Sequence, residues 1–108
     1  KGSKDRYRDL IFIDDVVDAF LACLSNHLNG NEVFNICTGI KTTVEDLVFQ
    51  ITQNLNPNQI TVSYSGNTPG DVHGYTGDNS RAKEILHWTP KIRLEEGINK
   101  MVNWAIND

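Results

Sequence analysis

Hydrophobic and polar positions change their spacing several times along the chain, and each change predicts a new element. Short, largely apolar runs predict strands at residues 8–14, 32–37 and 60–65. Apolar residues at spacings of three and four predict helices at residues 14–26, 42–55, 78–88 and 94–108. This order, with strands and helices alternating until two final helices, is typical of an α/β fold.

Residues at the helix starts refine these predictions. Asp14 and Asp15 favour the positive end of the first helix dipole. Thr42 and Glu45 have capping-box spacing in the second helix. The third helix is expected to be capped by Asp78, Asn79 or Ser80. In the first helix, one apolar face is expected to lie in the core: Val16, Val17, Phe20, Leu21 and Leu24.

The predicted strands indicate an incomplete fold. Two of them are almost wholly apolar, as expected for a sheet that is covered on both faces. Three strands and four helices of this length cannot supply that cover, so we expect the missing layer to belong to upstream residues. The chain also begins at Lys1 without a methionine, in a segment that looks structured, which favours a piece of a longer protein.

Composition excludes several classes of protein. The 108 residues are 39% hydrophobic and 22% charged, enough for a modest core. A net charge of −4 without a basic patch argues against a nucleic-acid partner. Neither a membrane span nor a secretory signal is predicted, so we expect a cytoplasmic protein. Cys23 and Cys37 are accordingly interpreted as two buried thiols in preference to a disulfide.

The residue types alone provide no complete catalytic apparatus. The three histidines have no metal-ligand spacing. The run from Ser80 to Lys83 matches S-x-x-K, but its serine stands where a helix cap is wanted and no companion motif accompanies it. No tyrosine is followed by a lysine four positions on. Trp88 and Trp104 are interpreted as core anchors, and Gly97 indicates close packing within the last helix.

Four segments, in order, resemble one family, and the last two lie within one continuous stretch. "YRDLIFIDDVVDAF" resembles the R-D-[FY]-[IV]-x-[VI]-x-D-[VL] segment of the NAD-dependent epimerase/dehydratase family, the extended short-chain dehydrogenases. "EVFNICTGIKTTVEDLV" is similar to the strand, glycine turn and helix that follow. "TPGDVHGYTGDNSRAKEILHWTPKIRLEEGINKMVNWA" is similar to the family's carboxy-terminal P-G-D and D-x-S-[KR]-A signatures, which end with "P" and "LEEG". Together the matches cover essentially the whole chain.

The resemblance implies a partial fold, the carboxy-terminal substrate-binding portion of an extended short-chain dehydrogenase. Residues 1–40 are expected to close the Rossmann-type half, and residues 41–108 to form the small substrate-binding domain. The family's glycine-rich NAD loop and Tyr-x-x-x-Lys pair are absent here. NAD is therefore expected to bind the missing amino-terminal half of the parent protein, with no cofactor or catalytic residue in this chain.

The resemblance also implies three substrate-binding residues. Arg8 stands at the family position that contacts the nucleotide-sugar diphosphate, and a guanidinium suits phosphate oxygens. The alternative is an arginine that pairs with Asp5 or Asp9 at the surface. Tyr75 and Asp71 fall in the glycine-rich stretch that approaches the substrate in the family, although Tyr75 is equally consistent with simple packing.

The same stretch departs from the family at Thr68. Many members have an arginine at this position as a second diphosphate clamp, and threonine cannot supply that charge. We expect the stretch to be held in shape, but only against a domain that this chain does not include. Arg6 lies near Arg8 but fits the motif less well, and it is interpreted as solvated.

The parent protein is thus predicted to be an NAD-dependent nucleotide-sugar epimerase or dehydratase, with a nucleotide-sugar as its small-molecule partner. The alternative is a binding or interaction module that keeps the family scaffold without catalysis. By itself the chain is expected to be inactive and to form a homo-oligomer through the strands near 8–14 or 32–37, because strands without neighbours leave open edges.

Overall fold

The fold consists of four helices and one very short sheet. The computed structural model describes residues 3–66, 69–70 and 72–107. The helices are α1 (Ile13–Ser25), α2 (Val44–Gln53), α3 (Ser80–Leu86) and α4 (Leu94–Asn107). The strands are β1 (Tyr7–Arg8) and β2 (Thr42–Thr43), and a 3-10 turn spans Pro57–Gln59. α2 packs against α4, and α1 packs against α3.

All four predicted helices are present, and the start of α2 corrects one local detail. The capping box is formed by Thr43 and Asp46, one residue later than predicted. Thr43 Oγ1 accepts a hydrogen bond from the Asp46 amide at 3.0 Å, and Asp46 Oδ2 accepts one from the Thr43 amide at 3.2 Å. Thr42 lies one residue before the N-cap, opposite Arg8 in β2, so the cap is the second residue of that strand, Thr43.

The start of α3 lies among the three predicted capping residues. Asn79 is its N-cap, but the side chain does not cap the helix, because its amide donates to the Cys37 carbonyl at 2.8 Å. Asp78 Oδ1 accepts the Ser80 amide hydrogen bond at 2.9 Å instead. The helix is therefore tied at its start to the 37–39 turn.

The three strands predicted from the sequence are not present with the predicted bounds. β1 covers only Tyr7–Arg8 and pairs antiparallel with β2, and the runs 32–37 and 60–65 form no strand. A ladder needs a neighbouring backbone, and within the described residues only β1 and β2 supply one to each other. The fold class is nevertheless confirmed as a partial α/β fold, with four helices and a two-stranded sheet.

The face of α1 that lies in the core is not the predicted one. Phe20 is 69% exposed and Leu24 is 84% exposed, whereas Asp15 and Ala19 are buried. Four of the five residues of the apolar stripe of α1 are therefore exposed in the described chain, and only Val16 is half-buried. Spacing identified the stripe correctly, but the partner that would cover it is not among these residues.

The core lies between α1, α3 and the segment that enters α4. Trp88 is buried as predicted, in a cluster with Ala19, Ala82 and Leu86. Its indole Nε1 donates to the Asp15 carbonyl at 2.9 Å. Further apolar residues pack against the cluster from the side: Ile11, Ala22, Cys23, Leu28, Phe34 and Ile36.

Asp15 joins α1 to this core through its side chain. Its two carboxylate oxygens accept hydrogen bonds from the Lys91 and Ile92 amides at 3.1 and 3.0 Å. The sequence assigned Asp15 to the helix dipole, and the structure gives it this additional, buried role. A carboxylate that is 1% exposed is tolerable here because backbone amides satisfy both oxygens.

Of two other predictions about packing, one is confirmed and one is wrong. A Cβ built on Gly97 would lie 2.9 Å from Phe12 Cδ1, which confirms close packing at this glycine. Trp104 is 70% exposed, so its assignment to the core is wrong for the chain as described.

Cys23 and Cys37 are both free thiols and are half-buried. Among the described helices, none has the length and apolar character needed to cross a membrane.

Candidate functional site

The site begins at β1, where two arginines flank a tyrosine. Arg6 and Arg8 are two positions apart, which places them on the same face of an extended segment. Arg6 Nη1 donates to the Val72 carbonyl at 3.2 Å, and Arg8 Nη1 donates to the His73 carbonyl at 3.5 Å. The Tyr7 amide also donates to the His73 carbonyl, at 3.1 Å. The two guanidinium groups therefore donate hydrogen bonds to the carbonyls of consecutive residues in a loop that is distant in sequence.

Two of the three predicted site residues lie together. The Arg8 guanidinium carbon is 5.7 Å from the centre of the Tyr75 ring, within the range of a cation–π contact. Arg8 Nη1 also donates to its neighbouring Tyr7 carbonyl at 2.8 Å, which orients the guanidinium plane. Tyr75 is 61% exposed, so its ring presents a face to solvent. Asp71 and Thr68 lie outside the described residues.

The glycines of this loop lie against the chain itself. We call residues 72–77 the aromatic loop. A Cβ built on Gly74 would lie 2.4 Å from Tyr7 Cδ1, and one built on Gly77 would lie 2.5 Å from Cys37 Sγ. Only glycine permits so close an approach. The expectation that this stretch is held only against a missing domain is therefore wrong for the aromatic loop, because Tyr7 and Cys37 support it from within.

The structural role of Asp9 was not predicted from the sequence. It was weighed only as a surface partner of Arg8, but its carboxylate accepts four hydrogen bonds from two distant segments. Partial burial raises the pKa of Asp9, but the hydrogen bonds from Thr38, Gly77 and Gly39 outweigh it, so the pKa lies below its ordinary value. The sequence feature that could have indicated this role is an acidic residue directly after Arg8, followed later in the chain by turns that contain Gly39 and Gly77.

Further cationic and aromatic groups surround Tyr7. The Lys41 ammonium lies 4.5 Å from the centre of the Tyr7 ring, and the His73 ring meets Tyr7 edge-on at 5.8 Å between centroids. Sequence reasoning gave no role to Lys41 or His73. The pKa of the neighbouring Cys37 thiol is raised by burial and then by the charge of Asp9, so the thiol stays protonated at neutral pH.

The site can thus hold an anion beside an exposed aromatic ring. Arg6, Arg8 and Lys41 supply positive charge, and Tyr75 supplies the ring. Within the described residues no group of three or more His, Cys, Asp or Glu side chains is arranged to hold a metal ion. These features suit a ligand that carries phosphate groups.

Comparison with known proteins decides the family. The sequence model described as GDP-mannose 4,6 dehydratase matches residues 1–101. The chain belongs to this family. The resemblance to NAD-dependent epimerases and dehydratases that the sequence motifs suggested is thereby confirmed.

Family relatives of known activity match along almost the entire chain. The UDP-glucose 4-epimerase of Mycolicibacterium smegmatis is 36% identical over 107 residues, which are 98% of this chain and 33% of the relative. The UDP-glucuronic acid decarboxylase 1 of Arabidopsis thaliana is 31% identical and is matched over 23% of its length. The chain therefore spans a third or less of the length of these two relatives.

A solved family structure gives the same picture. The UDP-glucose 4-epimerase of Thermotoga maritima, solved with UDP-glucose, is 36% identical and superposes with a TM-score of 0.87. The superposition covers 98% of this chain and 33% of that one. The partial α/β fold described above is thus the fold of one third of a family enzyme.

Proposed function

We propose that this chain is the carboxy-terminal part of an NAD-dependent nucleotide-sugar epimerase or dehydratase, and that it contributes nucleotide-sugar binding. The observation that carries the proposal is the placement of the Arg8 guanidinium beside the exposed Tyr75 ring, on a loop that the chain itself supports. The similarity to UDP-sugar enzymes over 98% of the chain supports the substrate class.

Arg8 would bind the diphosphate. Its Nη1 donates to two backbone carbonyls, so the plane of the guanidinium is set before any ligand arrives. A planar group held in this way donates to phosphate oxygens at little entropic cost. Arg6 and Lys41 add positive charge nearby, which favours a ligand carrying two negative phosphates. Tyr75 would contact the nucleotide-sugar through its exposed ring.

Asp71 stays in the proposal as a third substrate-binding residue. The division at residue 40 also stays, with residues 1–40 belonging to the Rossmann-type half and residues 41–108 to the small domain. β1 and β2 pair across this division, which would couple the two parts at Arg8.

The two glycines of the aromatic loop do not fit the pyrophosphate of NAD. A dinucleotide cradle needs glycines whose open backbone faces the pyrophosphate at a helix start. Here the space beside Gly74 is filled by the Tyr7 ring, and the space beside Gly77 is filled by Cys37. We therefore assign NAD binding and catalysis to the remaining portion of the parent protein. A G-x-x-G-x-x-G loop and a Tyr-x-x-x-Lys pair encoded upstream of Lys1 would support this assignment, and an unrelated upstream domain would contradict it.

The exposed apolar surface supports the same assignment. Large apolar side chains of α1 and α4 face solvent in the described chain: Ile13, Val17, Phe20, Leu21, Leu24, Met101, Trp104 and Ile106. A surface of this kind marks a contact with other protein. The rest of the parent polypeptide is long enough to cover this surface. The predicted homo-oligomer of the isolated chain was expected to use the strands near 8–14 or 32–37; because those runs do not form the predicted strands, we propose that the exposed helical surface forms the contact instead.

Replacement of Arg8 tests the proposal in the full-length protein. Arg8→Ala should weaken UDP-sugar binding by about 10- to 150-fold, since a hydrogen bond to a charged group contributes about 1.5–3 kcal/mol. Arg8→Lys keeps the charge but loses the planar fork, so its loss should be smaller. Isothermal titration calorimetry with UDP-glucose and, separately, with NAD measures both affinities.

Arg93→Ala is the matched control, because Arg93 is an exposed arginine just before α4. It should leave the affinity for UDP-glucose unchanged. Unaltered affinity in Arg8→Ala would remove Arg8 from the site. An equal loss of NAD affinity would indicate misfolding and would also count against the assigned role.

A further inference from the structure

The Asp9 carboxylate connects two turns that are distant in sequence. Its Oδ1 accepts hydrogen bonds from Thr38, at 2.9 Å from the amide and 2.5 Å from the hydroxyl. Its Oδ2 accepts hydrogen bonds from the Gly39 amide at 2.8 Å and the Gly77 amide at 3.0 Å. The two oxygens therefore fasten the 37–39 turn and the end of the aromatic loop to the segment that carries Arg8.

We infer that Asp9 is a positioning residue for the nucleotide-sugar site: it closes the aromatic loop so that Tyr75 stays beside Arg8. The inference rests on the proposed function. It goes beyond the similarity to known enzymes, because it assigns the role from hydrogen bonds within this chain.

The positions of the two ends of the loop explain how the closure works. On one side of Tyr75, the His73 carbonyl is held by the Tyr7 amide and the Arg8 guanidinium. On the other side, the Gly77 amide is held by Asp9. Tyr75 lies midway between these two attachments, two residues from each. Arg8 and Asp9 are consecutive, so one dipeptide fixes both the cation and the far end of the loop.

Gly77 makes the second attachment possible. A Cβ at this position would lie 2.5 Å from Cys37 Sγ and 2.9 Å from Cys37 Cβ. Any larger residue would push the backbone away from Cys37 and lengthen the hydrogen bond to Asp9. The glycine is needed for close approach to Asp9 and Cys37, and its amide is then directed at the carboxylate.

Asp9 is not a ligand of the diphosphate itself. A carboxylate and a phosphate repel each other, and an ionised carboxylate has no proton to donate. The four donors hold it in the charged state, in agreement with the lowered pKa. Its contribution to binding is therefore indirect, through the loop.

The test compares variants of Asp9 with a matched variant of Asp15 in the full-length protein, using UDP as the probe. Asp9→Ala removes all four acceptor contacts. Asp9→Asn can keep its oxygen toward Gly39 and Gly77 while its amide group faces Thr38. Asp15→Asn removes charge from another carboxylate that accepts hydrogen bonds from two backbone amides, but Asp15 fastens the 91–92 segment and not the aromatic loop.

Asp9→Ala should bind UDP about tenfold more weakly or worse, equal to the loss of roughly one charge-assisted hydrogen bond. Asp9→Asn should retain an intermediate affinity. NAD affinity should not change in either variant. Amide hydrogen exchange across residues 72–77 should accelerate in Asp9→Ala. Asp15→Asn should lower the melting temperature and leave UDP affinity unchanged.

Two results would overturn the inference while the proposed function stands. One is wild-type UDP affinity in Asp9→Ala. The other is a loss of UDP affinity in Asp15→Asn as large as that in Asp9→Ala, which would show that general destabilisation accounts for both. Failure of the wild-type protein to bind UDP would refute the proposed function itself, and the positioning role with it.

Discussion

Replacing Asp15 with alanine removes the carboxylate that fastens α1 to the segment before α4. Asp15 is 1% exposed and accepts the Lys91 and Ile92 amides at 3.1 and 3.0 Å. Hydrogen bonds to a charged group contribute about 1.5–3 kcal/mol each. Lys91 is exposed and Ile92 is half-buried, so water replaces part of the lost interaction. We expect Asp15→Ala to lower the free energy of unfolding by about 2–4 kcal/mol.

Asp14→Ala is the matched control, because Asp14 lies in the same first turn of α1 and is exposed. If both carboxylates only stabilised the helix dipole, each replacement would lower the free energy of unfolding by about 0.3–1 kcal/mol. Urea titration followed by far-ultraviolet circular dichroism measures the two losses. Equal losses in Asp14→Ala and Asp15→Ala would refute the role that we assign to the buried hydrogen bonds.

Two further predictions concern the aromatic loop. Gly74→Ala should destabilise the protein by about 1–3 kcal/mol, because its Cβ would lie 2.4 to 2.6 Å from three Tyr7 ring atoms. Thermal unfolding beside a Thr76→Ala control measures this, and Gly74→Ala as stable as the wild type would contradict it. The lowered pKa of Asp9 means that its stabilisation is present above the unfolded-state pKa of about 3.9 and is lost as pH falls through the folded value. The stability difference between wild type and Asp9→Asn should therefore be constant near pH 7 and should shrink below about pH 4 in urea titrations, whereas a difference that does not depend on pH would contradict this reasoning.

The sequence predicted the helices well because their signals are local. α1, α2, α3 and α4 each follow from apolar spacing and from polar residues at their starts, which act within a few positions. Packing within the described chain could not be predicted from the same pattern. Phe20 and Trp104 look like core residues by spacing and size, but their burial requires a partner surface that spacing does not supply.

For the candidate site, the sequence indicated only part of the arrangement that the structure shows. Arg8 and Tyr75 are 67 positions apart, and family resemblance alone placed them together, as the structure does. The roles of Asp9 and Asp15 could not be predicted. Backbone amides leave no signature in a sequence, so a carboxylate held by amides resembles any surface acid. The strands failed for a related reason, because an extended run becomes a strand only when a second backbone pairs with it.

The hydrogen bonds of the amino-terminal segment also determine when it can fold during synthesis. Arg6, Asp9 and Asp15 each have a hydrogen-bond partner far along the chain, 66, 68 and 77 residues later respectively. At the usual rate of translation, about 4–15 s pass between the appearance of Asp15 and that of Ile92. The contacts of this segment with residues 38–44 need only the first 44 residues, but these longer-range hydrogen bonds form only after residues 72–92 have been synthesised. A nascent chain that stops before Ile92 therefore lacks part of the attachment that holds the start of α1.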